Sequence, residues 1–191
     1  MSGESRQVLP PGIDAGLRAH HAALDAFLRH AAALSALQWE APRAAGKWTP
    51  AQEAAHLALA YAAFAAAMRG GPPRELRVPA ARALELQRTV LPGVLEGKGF
   101  PTGAKAPAET EPPECPGGQG ALLLQLSAAA QAFEEALVGT WASAPDSRVV
   151  HPYFGALRLP DLLGLLTAHL HHHARYLPPL SGAPAGEPAN A

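Results

Sequence analysis

Apolar residues recur on a helical period in several long stretches of the chain. Ile13, Leu17, His20, Leu24, Phe27, Ala31 and Leu34 follow one another at steps of three and four, which is one stripe of an amphipathic helix. They predict a first helix from about Ile13 to Leu37. The segment after it, QWEAPRAAGK, holds Pro42 and Gly46 and reads as a connection. Thr49-Pro50-Ala51-Gln52 then combines three start signals: a Thr at the N-cap, a Pro at the first helical position and a Gln three residues after the cap. The second helix runs from there to about Met68, stops at Gly70-Gly71-Pro72-Pro73, and carries His56 two turns inside its start.

Leu122, Leu126, Ala129, Phe133, Leu137 and Thr140 form another stripe and predict a third helix over Gln119 to Thr140. Val149 to Phe154 reads as a short extended piece that bends at Gly155, after which Asp161 caps a fourth helix ending at Pro178-Pro179. Between the second and third helices the periodicity disappears. Residues 70–120 hold nine of the 18 Gly and nine of the 20 Pro, with room for a short helix only over Ala80 to Val90. A connection this long serves either as a functional cover or as a crossover between helices that are not antiparallel neighbours. The expected fold is therefore all-α: a four-helix bundle over residues 1–180, with a long, mostly irregular crossover between helices two and three. The small, polar stretch 181–191 is expected to be a disordered tail.

Composition narrows the function. Hydrophobic residues make up 48% of the chain and charged ones 16%, and the net charge of -1 comes without any Lys/Arg cluster to neutralise a run of phosphates, so nucleic acid is not an expected partner. Cys115 stands alone, which rules out an intrachain disulfide and fits a reducing compartment. MSGESRQVLPPG lacks the features of a signal peptide, and the most apolar run, Ala54 to Met68, is shorter than the ~20 residues of a membrane span. No membrane association and a cytoplasmic location are expected.

The chemistry lies in the histidines. On the fourth helix the apolar seam reads Leu162, Leu166, His169, His173, Leu177, so two histidines stand where leucines would pack. His172 lies about 60° from His169 round the helix and is a flanking candidate, while His171, about 160° away, belongs on the surface. Two inward imidazoles one turn apart, joined by a third His, Asp or Glu, suit a divalent metal with positions left for water or substrate. His56 is the natural third ligand, being the one histidine of the second helix. His20 is expected to be a core histidine, and His30 sits at a suitable height but off the stripe. Glu53, a turn before His56, is a weak candidate for a general base and otherwise a solvated first-turn acid. Cys115 reads as an incidental exposed thiol. Trp39 and Trp48 read as packing residues, and Tyr153 and Tyr176 as core or rim packing that could help shape a pocket.

Three pieces of the sequence together resemble the DinB superfamily of DinB/YfiT-like metalloenzymes: KWTPAQEAAHLALA at Lys47 to Ala60, HPYFGAL at His151 to Leu157, and the H-x-x-x-H of His169 to His173. The middle connection is similar to that of a functionally uncharacterised branch. The resemblance implies a four-helix bundle, often dimeric, that holds Zn or Ni through His56, His169 and His173. Many relatives have Gln three residues after the last ligand, where this chain has Tyr176.

Two readings of function follow. One is a metal-dependent transferase or hydrolase activating water or a low-molecular-weight thiol, with a small-molecule substrate. The other is a non-catalytic metal- or small-ligand-binding bundle with a stress-related role.

Overall fold

The computed structural model describes residues 11–180 apart from 73, 102 and 104. The tail expected over 181–191 lies outside the described residues. Four long helices form the bundle: α1 (Pro11–Ala32), α3 (Pro50–Met68), α6 (Gln119–Ser143) and α7 (Leu159–Ala174). Short helices intervene, namely α2 (Ala36–Glu40), α4 (Ala80–Thr89) and α5 (Leu91–Leu95), with a single 3₁₀ turn over Ala108–Thr110 and an antiparallel hairpin of β1 (Arg148–His151) and β2 (Gly155–Arg158).

The helix directions follow from which residues meet. Gln52 near the start of α3 reaches the Pro113 carbonyl just before α6, and Arg69 at its end reaches the Ala132 carbonyl, so α3 and α6 run in the same direction. Gly16 approaches Leu163, and His30 donates to the Pro178 carbonyl, so α1 and α7 are parallel as well. The two parallel pairs oppose each other: Gln119 bonds the Ala31 carbonyl, and Glu53 faces His173. A parallel pair cannot be joined by a tight turn. The chain between α3 and α6 must travel back the length of the bundle, which is why it is long and rich in Pro and Gly.

Leu57, Phe64, Leu126, Phe133, Leu137, Leu162 and Leu166 are buried where the four helices meet, with Phe27 and Leu24 contributed by α1. α6 is long and apolar enough to cross a membrane by length and composition alone, while its Leu122, Leu126, Phe133 and Leu137 are buried in the bundle core.

Several expected boundaries change, and among them the fourth helix ends at Ala174, ahead of Pro178-Pro179. The first helix does not continue to Leu37; it stops at Ala32, and Ser35 opens α2 with a capping box in which its side chain receives the Gln38 N–H and Gln38 receives the Ser35 N–H. This turn buries Trp39. Likewise the single extended piece is a hairpin, turned at Gly155 with φ +70, and the fourth helix begins at Leu159 rather than at an Asp161 cap. Pro160 lacks an N–H to satisfy and fits the first turn, where Asp161 pairs with Arg158 instead.

The predicted box at the start of α3 is present: Thr49 Oγ1 accepts from the Gln52 N–H at 3.1 Å, and Gln52 Oε1 from the Thr49 N–H at 3.0 Å. Thr49→Ala is expected to lower unfolding free energy by about 1 kcal/mol with native helical content, as measured by urea denaturation followed by circular dichroism.

Candidate metal centre

The antiparallel run of α3 against α7 sets Glu53 level with His173 and His56 level with His169. Three imidazoles consequently meet between the helices. His56 Nε2 lies 3.2 Å from His169 Nε2, which lies 2.8 Å from His173 Nε2. His56 and His173 are buried and His169 nearly so.

The outer nitrogens decide what this cluster can hold. His56 Nδ1–H donates to the Thr110 carbonyl at 2.7 Å, and His173 Nδ1–H donates to Glu53 Oε2 at 2.5 Å. Both residues then present a bare Nε2 lone pair to the centre, so at most one proton, on His169, lies among three converging nitrogens. A divalent cation suits such a donor set. Nitrogens about 2.0–2.1 Å from one zinc ion at tetrahedral angles lie about 3.4 Å apart, and the three ligand atoms here lie within 4.8 Å of one another.

Burial holds the trio neutral. It pushes His56 below its ordinary value, with the Arg74 charge acting in the same direction against the Thr110 bond, and it pushes His169 and His173 well below theirs. Neutral imidazole is the form that ligates. Glu53 is not the solvated acid of the sequence reading: it is 2% exposed, and burial raises its pKa to about 7 against the opposing pull of Arg43. With Oε2 on His173 and Oε1 at 3.7 Å from Arg43, it is a positioning residue rather than a free base.

Aromatic rings close the surroundings. Trp48 sits 4.9 Å from the His56 ring and Phe100, from the crossover, 5.6 Å from the His169 ring. His172 stands beside the trio, not in it, accepting from Arg175 while its Nε2 meets the Tyr176 hydroxyl at 3.2 Å. Arg43 covers the Tyr176 ring at 3.5 Å, so this position forms part of an aromatic and cationic rim. His30 is taken up by the Pro178 carbonyl, and His171 is exposed. His20 is the expected core histidine, held between Glu134 and the Tyr61 hydroxyl at 2.7 Å each.

The sequence reading assigns no role to two participants, although one of them, His151, opens the HPYFGAL piece. The Thr110 carbonyl is backbone, delivered by an irregular segment. His151 accepts the Tyr153 and Phe154 N–H groups at its Nδ1, which fixes its proton on Nε2, and it stacks between Phe64 and Phe154. Burial, helped by Arg74, drives its pKa down to about 3.

The sequence profile of the DinB superfamily matches residues 19–177. The chain belongs to the DinB superfamily. A solved structure of similar fold is YfiT from Bacillus subtilis, described as a probable metal-dependent hydrolase with an unusual four-helix bundle topology; it is 16% identical, with a TM-score of 0.55 over 91% of this chain and 89% of its own. No curated protein matches the chain. The parallel pairing of α3 with α6 gives this DinB protein a four-helix order that differs from a simple up-and-down bundle.

The depressed histidines make acid a destabilising agent. In the unfolded chain His56, His151, His169 and His173 take up protons as pH falls through 6.5, while in the folded chain they resist, so the unfolded state gains. Glu53 acts oppositely between 4.5 and about 7, since its folded form is the readier to protonate, but it is one group against four. Metal-free protein is expected to lose melting temperature steadily from about pH 6.5 down to about pH 4; a flat profile in calorimetry would contradict the buried neutral histidines.

Proposed function

We propose that this protein is a metal-dependent enzyme in which His56, His169 and His173 hold one divalent transition metal, Zn or Ni. The observation that carries the reading is the convergence of three Nε2 atoms, two of them stripped of protons by the Thr110 carbonyl and Glu53. Membership of the DinB superfamily and the description of YfiT as a probable metal-dependent hydrolase support it. Three neutral imidazoles leave a bound cation its full charge, enough to acidify a water or a small thiol, and the reaction class is accordingly hydrolysis or thiol-dependent transfer.

The protein's own groups supply the rest. Glu53 fixes the tautomer and direction of His173, as the Thr110 carbonyl does for His56. Trp48 and Phe100 limit water around the imidazoles, which strengthens every charge interaction there. One observation favours the non-catalytic alternative: both oxygens of Glu53 are engaged, so it is not free to take a proton from substrate. Turnover by the metal-loaded protein in a screen of ester, amide and thiol-transfer substrates separates the two.

Elemental analysis of untagged protein, purified without added metal, is expected to find about one equivalent of Zn or Ni in wild type and a loss of most of it in His173→Ala. No metal in wild type, even after incubation with either ion, would overturn the proposal. Glu53→Gln is expected to keep the fold but weaken metal affinity about 10–100-fold in chelator competition, because the amide no longer gives His173 an anionic acceptor.

A further inference from the structure

Arg74 lies on the segment between α3 and α4, and its side chain is only 6% exposed. Nη2 donates to Glu109 Oε1 at 3.2 Å, whereas Nε and Nη1 are buried with no acceptor among the described residues. The guanidinium lies over the Phe64 ring at 4.3 Å, which removes one of its faces from water. A buried charged donor left unmatched is costly, so such a group calls for an acceptor.

Its location ties it to the histidine trio. Glu109, which fixes Arg74, directly precedes Thr110, whose carbonyl holds His56. Phe64, beneath the guanidinium, follows His56 by two turns of α3 and stacks at 5.9 Å on His151. The Arg74 charge is felt at both His56 and His151.

We propose that Arg74 receives a carboxylate group of the small molecule that the histidine trio acts on. A guanidinium is a planar fork whose paired N–H edges, Nε with Nη2 and Nη1 with Nη2, match the two oxygens of a carboxylate; one Nη2 N–H goes to Glu109, and the other, with the unmatched nitrogen beside it, makes the edge that is left to give. Glu109 selects against a dianion. It places one oxygen on Arg74 and the other on Arg77 at 2.8 Å, so a phosphate dianion entering beside Arg74 would meet a fixed negative charge, which a monoanion meets at half the cost. The assignment of a substrate carboxylate rests on the proposed function of the trio; the anion site itself does not.

The test is titration with sodium acetate and, separately, inorganic phosphate, followed by calorimetry, on zinc-loaded and on metal-free protein. Acetate is expected to bind both forms of wild type, at least tenfold more weakly to Arg74→Met, and phosphate no more tightly than acetate. Arg74→Lys, which keeps the charge and loses the fork, serves as the second variant should Arg74→Met lose helical structure, and it is expected to bind acetate several-fold more weakly. Equal acetate affinity in a folded variant, no acetate binding by wild type, or tighter phosphate binding would overturn the proposal. Failure of the metal reading shows separately, as absence of zinc uptake, and leaves the metal-free titration intact.

Discussion

The parallel packing of α3 on α6 is the constraint from which the site's surroundings descend. Two helices that follow one another through the bundle and point the same way need a return path the length of a helix, and this chain spends residues 69–118 on it. The path is not idle. It brings Phe100 against His169 and the Thr110 carbonyl onto His56 Nδ1, and it brings Glu109 to Arg74. An up-and-down bundle with tight turns would hold the same three histidines on its helices but would have no segment to cover them.

Burial then sets the chemistry. Imidazoles placed where leucines would pack cannot carry protons cheaply, so His56, His169 and His173 are kept neutral. Neutrality alone leaves the tautomer undecided, and a tautomer with its proton on Nε2 would block the centre. The Thr110 carbonyl and Glu53 remove that freedom at two of the three positions, by different means: one is a neutral backbone acceptor, the other an ionisable group that Arg43 helps keep charged.

Much of this arrangement was legible in the chain. Leu162, Leu166, His169, His173 and Leu177 lie on one seam, so the inward direction of both histidines followed from period alone, and the Thr49-to-Gln52 box located α3 closely enough to place His56. Ser35-Ala36-Leu37-Gln38 carries the same type of signal and breaks the first helix, but an apolar stripe running through Leu34 masks it. What acts through the backbone or through distant pairing could not be read. The Thr110 carbonyl has no side-chain signature, and Glu53 at the first turn of a helix is solvated in most proteins; only the level packing of α3 on α7 turns it inward. Arg74 sat in a stretch whose composition announced irregularity and nothing more.

The raised pKa of Glu53 and the depressed pKa of its histidine partner share one cause. In the metal-free protein burial disfavours the charged form of each, lowering the imidazole and raising the carboxyl to about 7, while the ring N–H stays on Glu53 Oε2. A divalent charge one imidazole away favours the ionised carboxylate, because the attraction between the two acts through a poorly hydrated interior. In the proposed metal-bound form, cation and carboxylate would therefore be linked: each would promote the other, and the lone pair of His173 would be most firmly directed inward with the ion in place.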